Sequence, residues 1–212
     1  MRRSISHWSP GYVSSRIKQA IHQRRHPDDP WLTREAVDFL SQWLHLDDSV
    51  LEWGSGRSSI WLAARVGHVF SVEHNPDWLT EVESRAAASG FSDKLSLEFS
   101  SLETADTYIG AHPELGKGSI DLCLVDGALR SACALRALEL TKAGGVIVID
   151  NVERYLFEKN PTRESPNSRQ PGEGNADEKW DRFAEVTRSW RVYWTTDGVS
   201  DTAFFFVPES RE

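Results

Sequence analysis

Glu52, Gly54, Gly56 and Glu73 are the residues of this chain whose types and spacing point first to chemistry. They lie in Val50-Leu51-Glu52-Trp53-Gly54-Ser55-Gly56-Arg57-Ser58-Ser59 and in Val69-Phe70-Ser71-Val72-Glu73. A short apolar run that ends at a Gly-x-Gly turn, followed by Ile60, Trp61, Ala63 and Ala64 at helical grouping, reads strand, turn, helix. Glycine at 54 and 56 permits positive φ and close approach of the backbone to a ligand. The amides near Ser58 and Ser59 at the start of the helix favour an anionic group. Glu73 ends the next strand 19 positions beyond Gly54, where a βαβ unit grips the hydroxyl pair of a ribose. Strand, turn, helix and spaced acid together predict a nucleotide-type cofactor site rather than an ordinary tight turn. The third glycine of the dinucleotide fingerprint is missing, because positions 58 and 59 are serines, which argues against a nicotinamide or flavin dinucleotide.

Such a turn works only inside a frame of strands and helices, and the pattern supplies one. Strands are predicted over 49–53, 68–73, 94–99, 119–125 and 145–150, with helices over 57–66, 77–89 and 130–142 between them. This alternation is the pattern of an α/β fold, a doubly wound, mainly parallel sheet with helices on both faces. Ile120 to Val125 and Val146 to Ile149 are nearly continuous apolar runs, as strands buried on both faces should be. A helix near 177–189 precedes two strand-like runs, Trp190 to Thr195 and Thr202 to Val207, which read as a terminal antiparallel hairpin and bring the count to seven strands. Val13, Ile17, Ala20 and Ile21 have helical spacing, as do Leu32 to Leu44 with Thr33 placed to cap, so residues 1–45 form an N-terminal helical cap able to cover the cofactor mouth. The core spans 46–212. Residues 158–179 hold one apolar side chain, Ala176, among Pro161, Pro166, Pro171, Gly172 and Gly174. They read as a flexible loop, with a linker favoured over a lid.

At 212 residues the chain can bury one sizeable core, and its apolar segments are spread throughout, which suggests one domain. No apolar run approaches the length of a membrane span and no signal peptide is evident, so a soluble, cytoplasmic protein is expected. Cys123 and Cys133 offer neither a disulfide framework nor metal-ligand spacing and read as buried thiols. Residues 1–27 carry six of the 24 Lys and Arg and none of the 32 acids, which leaves the remainder at −14. So acidic a body repels phosphates and argues against a long nucleic-acid surface. The basic arm reads as a solvated helix face, although its Pro10-Gly11 step is expected to interrupt a continuous helix. Nine tryptophans are many for this length. Core packing is the default for each, with some free to line a pocket for a flat substrate.

The order of elements from about residue 45 to 207 resembles that of class I S-adenosylmethionine-dependent methyltransferases. Glu52-Trp53-Gly54-Ser55-Gly56, Glu73, Asp126-Gly127 and Gly144-Gly145-Val146-Ile147-Val148-Ile149-Asp150-Asn151 carry the resemblance. It implies transfer of a methyl group to an oxygen or nitrogen of a small molecule. It places Glu52, Gly54 and Gly56 at the methionine part of the cofactor and Glu73 at its ribose. His74 and the Ser100-Ser101-Leu102 turn fall near adenine, and Ser58 and Asp126 complete the expected cofactor contacts. A narrower likeness to cation-dependent O-methyltransferases of the catechol and caffeoyl-coenzyme A types implies that Asp126, Asp150 and Asn151 hold a magnesium ion. Such an ion would draw a hydroxyl substrate to the methyl group and lower its pKa. The catechol type carries a catalytic lysine three places after the first of these acids. Here that place is Leu129, followed by Arg130, which could bind an anionic substrate group or the cofactor carboxylate. Asp126 and Arg130 are thus the catalytic candidates, with Asp197 and Asp201 in reserve.

A nicotinamide-dependent oxidoreductase is the rival enzyme class, and a non-catalytic cofactor- or nucleic-acid-binding module is the rival outside enzymes. The sequence leaves oligomeric state open, a homodimer included.

Overall fold

A computed structural model describes residues 9–157, 168–170 and 172–209. The strands are β1 (Ser49–Trp53), β2 (His68–Glu73), β3 (Leu95–Phe99), β4 (Ile120–Val125), β5 (Thr141–Asp150), β6 (Arg191–Thr196) and β7 (Asp201–Phe206). They form one sheet in the order β3-β2-β1-β4-β5-β7-β6. β1 to β5 run parallel, and β7 pairs antiparallel with both β5 and β6. The helices are α1 (Pro10–Arg25), α2 (Arg34–Trp43), α3 (Arg57–Ala63), α4 (Pro76–Ser89), α5 (Ala105–Ile109), α6 (Arg130–Leu140) and α7 (Glu178–Val186). The expected seven-stranded α/β sheet with its terminal hairpin is present.

Alternation along the central strands divides the core between two faces. Leu51, Trp53, Cys123, Val125, Ile147 and Ile149 pack on the side of α5, α6 and α7. Val50, Leu122, Leu124, Val146 and Val148 pack with α2, α3 and α4. All six residues of β4 are buried, as befits a strand covered on both sides. Cys123 and Cys133 are buried free thiols, and burial pushes each up to about 12, which leaves them unreactive. Among the described residues no helix is long and apolar enough to cross a membrane.

Several elements depart from expectation, each for a local reason. α1 begins at Pro10 instead of breaking there, because proline at the first helical position loses no hydrogen bond and Ser9 Oγ caps Tyr12 N at 3.1 Å. α1 buries no residue. It leans on the β6–β7 turn through Gln19 Nε2, which donates to Asp197 Oδ2 at 2.9 Å. α2, capped by Thr33 as expected, packs Phe39 against Phe204 and Phe206 on the sheet face. β5 starts at Thr141, earlier than its apolar run, because Thr141 pairs with Ile120 before a register shift. The loop predicted over 158–179 is fixed in its described part. Arg169 N donates to Glu153 O and Ala176 N to Tyr155 O, both at 2.8 Å, while the Arg169 guanidinium binds the carbonyls of Glu173, Gly174 and Asn175. Polar bonds hold what apolar packing could not. Residues 158–167 and 171 lie outside the described residues.

The turn after β1 is pinned to the turn after β4. A Cβ on Gly54 would lie 2.6 Å from Gly127 N and 2.7 Å from Gly127 Cα, and Gly54 has φ +100°. A Cβ on Gly127 would strike the Tyr108 hydroxyl and Gly54 N. Gly56, by contrast, is extended at φ 172°, and a Cβ there would meet only the Trp78 ring, at 3.8 Å. Gly54→Ala should therefore destabilise the fold by about 2–4 kcal/mol, through strain and displaced backbone, and Gly56→Ala by under about 1 kcal/mol. Urea unfolding of both variants checks this, and equal stability losses would refute the close approach.

Candidate functional site

The parallel strands all end at one edge of the sheet, and the glycine turn sits where the order reverses, with β2 on one side of β1 and β4 on the other. Such switch points form crevices because successive helices leave on opposite faces. The crevice here is an open pocket of about 570 Å³ whose wall includes Gly54, Ser55, Glu73, Trp78, Asp126 and Gly127. That size suits a drug-sized or cofactor-sized molecule.

Glu73, buried at the end of β2, is held before any ligand arrives. Its Oε1 accepts from the amides of His74 and Asn75, both at 2.8 Å, and its Oε2 accepts from Ser55 Oγ at 3.1 Å. One acceptor position remains, on Oε2, since an ionised carboxylate offers about four. Asn75 caps α4 through Asp77 N and Trp78 N, and this start of the helix swings Trp78 back over the turn. Trp78 Nε1 donates to Ser55 O at 2.7 Å, fixing the glycine turn and giving the pocket an aromatic wall. His74 lies edge-on to Tyr108 with centroids 6.0 Å apart. The Tyr108 hydroxyl in turn accepts from Ala128 N at 3.2 Å.

Of the expected cofactor residues, Gly54, Glu73, His74 and Asp126 stand in the pocket wall, together with Ser55, Asn75 and Trp78, which sequence reasoning did not single out. Glu52, Gly56, Ser58 and Ser101 are not in that wall. Glu52 sits beneath the turn, where its Oε2 accepts from Ser59 Oγ at 2.5 Å and Ser71 Oγ at 2.9 Å. Gly56 N donates to Ser59 Oγ at 2.9 Å, so this buried network supports the turn from below. Ser101 lies between the exposed Phe99 and Leu102. Asp197 is a turn residue that accepts from Val199 N and Ser200 N. Asp201 is buried against Trp194 Nε1 at 2.9 Å.

At the ends of β4 and β5 the arrangement differs from that implied by the resemblance. The two acids do not face each other without a basic partner, because the Arg130 guanidinium spans them. Its Nη2 donates to Asp126 Oδ1 at 2.7 Å and also to Asp126 O, its Nη1 donates to Asp150 O, and its Nε donates to Gly127 O at 3.0 Å. Asp150 Oδ2 lies 4.0 Å from Nη1, and Asp150 Oδ1 accepts from Thr202 Oγ1 at 2.9 Å. Burial raises the Asp150 pKa well above the carboxylate range, helped by the charge of Asp126. Burial also raises Asp126, with Arg130 opposing it. Asn151 takes φ +50° and its carbonyl accepts from Arg154 N at 3.1 Å. Among the described residues no group of three or more His, Cys, Asp or Glu is placed to hold a metal. A guanidinium stands where the dication would, so Asp126, Asp150 and Asn151 do not fit a magnesium site as arranged.

No family model and no curated protein sequence matches this chain. Solved structures do. An O-methyltransferase from Bacillus cereus in complex with SAH shares 19% identity over 94% of this chain and 91% of its own, with TM-score 0.61. The O-methyltransferase TomG from Streptomyces achromogenes, involved in tomaymycin synthesis and in complex with SAM, shares 22% identity over 94% and 90%, with TM-score 0.57. An rRNA methylase from Streptococcus thermophilus shares 13% over 81% and 93%, with TM-score 0.52. At these identities the likeness is one of fold. The chain has the Rossmann-like fold of class I methyltransferases, and its neighbours include O-methyltransferases.

Glu52 generates a pH dependence of stability. Burial, opposed by the serine hydroxyls, pushes it from 4.5 up to about 7. Glu153, also buried, rises to about 7 for the same first reason. An acid whose folded pKa is raised stabilises the fold fully below its unfolded pKa and loses that contribution as pH climbs to the folded value. Unfolding free energy should thus fall between about pH 4.5 and 7, by on the order of 3 kcal/mol per group. Glu52→Gln should remove its share of the decline in urea titrations of the ligand-free protein. An unaltered pH slope in that variant would refute the assignment.

Proposed function

We propose that this chain is an S-adenosyl-L-methionine-dependent methyltransferase that acts on an oxygen or nitrogen of a small molecule. The observation that carries the reading is the pocket at the switch point, with the fixed carboxylate of Glu73 on one side of the Gly54 turn and Asp126 on the other. The fold likeness to O-methyltransferases supports it.

When bound, the cofactor supplies a sulfonium methyl that an oxygen or nitrogen nucleophile can take in line. The residues of this chain do the rest. Glu73, held on three sides, accepts a hydrogen bond from a ribose hydroxyl at its Oε2 without having to be ordered first, which lowers the cost of binding. The Trp78 indole and the pinned Gly54 turn shape the wall and exclude water. Gly56 leaves room for the Trp78 ring beside the turn. Asp126, at 29% side-chain exposure, has one oxygen committed to Arg130. The other is able to take the acceptor's proton, and the upward pKa shift caused by burial brings it nearer to a useful base. Arg130 orients that base. The two inert buried thiols suit a reducing, cytoplasmic setting.

A nucleic-acid acceptor is the second reading, favoured by the fold likeness to an rRNA methylase and opposed by the net charge of −8. Binding that steepens strongly as salt falls would support it.

Calorimetric titration with S-adenosyl-L-methionine and with NAD separates methyltransferase from oxidoreductase. Binding of the first alone is expected. Glu73→Ala should weaken it about 10- to 150-fold, or about 1.5–3 kcal/mol. Gly56→Val, outside the pocket wall and with a Cβ in ordinary contact with Trp78, should weaken it less than Glu73→Ala does. Undiminished affinity in Glu73→Ala would sink the ribose assignment.

A further inference from the structure

We propose that Arg130 is a resident substitute for a divalent cation, so that this site works without metal and takes an acceptor that presents one nucleophile rather than a chelating pair. The statement about the acceptor rests on the methyltransferase reading, while the statement about the cation does not.

The position of Arg130 in its helix is the first argument. It is the opening residue of α6, an 11-residue helix with no acid in its first turn. A cation there opposes the helix dipole. The preceding Leu129, at φ +48° and with no side-chain cap, adds left-handed strain. Neither cost benefits the helix. Both place the guanidinium across the ends of β4 and β5.

The second argument is how completely the guanidinium is used. Four contacts go to Asp126 Oδ1 and to the carbonyls of Asp126, Gly127 and Asp150. Asp150 Oδ2 lies 4.0 Å from Nη1, and the Tyr155 ring lies 5.8 Å from Cζ. A hard dication would compete for the Asp126 and Asp150 carboxylates that Arg130 already faces. These oxygens already meet a positive charge that, at 13% side-chain exposure, is nearly enclosed. Glu153 and Arg154 also act on the cluster, with opposite signs. A second cation arriving here would face Arg130 directly. Arginine also stays protonated across the working pH range, so unlike a bound ion it cannot be removed by a chelator.

The third argument is the consequence for the acceptor. A dication draws in two adjacent oxygens at once and acidifies them. A guanidinium with four of its five donors committed does not gather two adjacent oxygens in this way and leaves the acceptor's proton to Asp126. The geometry therefore suits a lone hydroxyl or an amine.

Manganese is the probe. Chelator-treated wild-type protein titrated with MnCl2 by calorimetry should show no one-to-one binding at concentrations below about a millimolar. Its Tm should not move. Arg130→Ala removes the resident charge and leaves two facing carboxylates, so millimolar Mn2+ should raise its Tm by about 2–4 °C or more. One-to-one binding in the wild type that Asp126→Asn abolishes would overturn the proposal. So would an Arg130→Ala protein that folds and gains nothing from Mn2+. If Arg130→Ala does not fold, the wild-type titration and its Asp126→Asn control still decide. Neither arm uses S-adenosyl-L-methionine, so failure here is distinct from failure of the methyltransferase reading.

Discussion

The site depends on a contact between two backbones. Gly54 and Gly127 lie so close that neither tolerates a side chain, and this abutment sets the distance between the first turn after β1 and the first turn after β4. Other parts of the site are attached to it. Tyr108 rises under Gly127 and receives Ala128 N. Trp78 bonds Ser55 O and so holds the turn from the other side. Ser55 Oγ reaches Glu73, joining the ends of β1 and β2. A displacement at either glycine would travel along covalent backbone to both carboxylates of the pocket wall. Packed interiors transmit such shifts rather than absorb them.

Charge at this edge is handled by burial and by two arginines, Arg130 and Arg154. Glu52, Asp150, Glu153 and Asp201 are all buried, and each has a raised pKa whose first cause is burial. Hydroxyls of Ser59, Ser71 and Thr202, the Trp194 indole and the Asp201 amide donate to them. Arg130 meets Asp126 and Asp150, and Arg154 Nε lies 3.4 Å from Glu153 Oε1. Glu52, Glu153 and Asp201 each keep one buried carboxylate oxygen without a hydrogen-bond partner, which costs stability.

Much of this was legible in the sequence, and what was not has physical causes. β1, β2 and β4 could be read because apolar runs bounded by glycine and acid leave few alternatives. Glu73 could be placed because its spacing from the turn follows from helix and strand lengths. α5 escaped notice because five residues (Ala105–Ile109) with one buried side chain, Tyr108, carry no periodicity. Trp78 looked like core because its bond to Ser55 O spans 23 residues and depends on how the Asn75 cap aims α4. The Arg130 bridge was hidden for a related reason. It exists only because β4 and β5 end side by side and Leu129 adopts left-handed geometry, and no spacing rule encodes that conjunction. Residues 168–170 and 172–177 resembled a linker because apolar content is a poor guide where Arg169 fastens three carbonyls.

α1 contributes sixteen residues of helix and buries none of them. Its contacts with the body include the bond from Gln19 to Asp197, His22 Nε2 at 3.6 Å from Asp29 Oδ2 and Ser15 beside Gly198, all polar, so releasing it exposes little apolar surface. β4, buried along its whole length, can open only when the molecule does. Amide hydrogens of the two elements should accordingly exchange with solvent on widely separated timescales. The chain thus has a gradient of local stability, from a helix that fluctuates almost independently to a strand as stable as the fold itself.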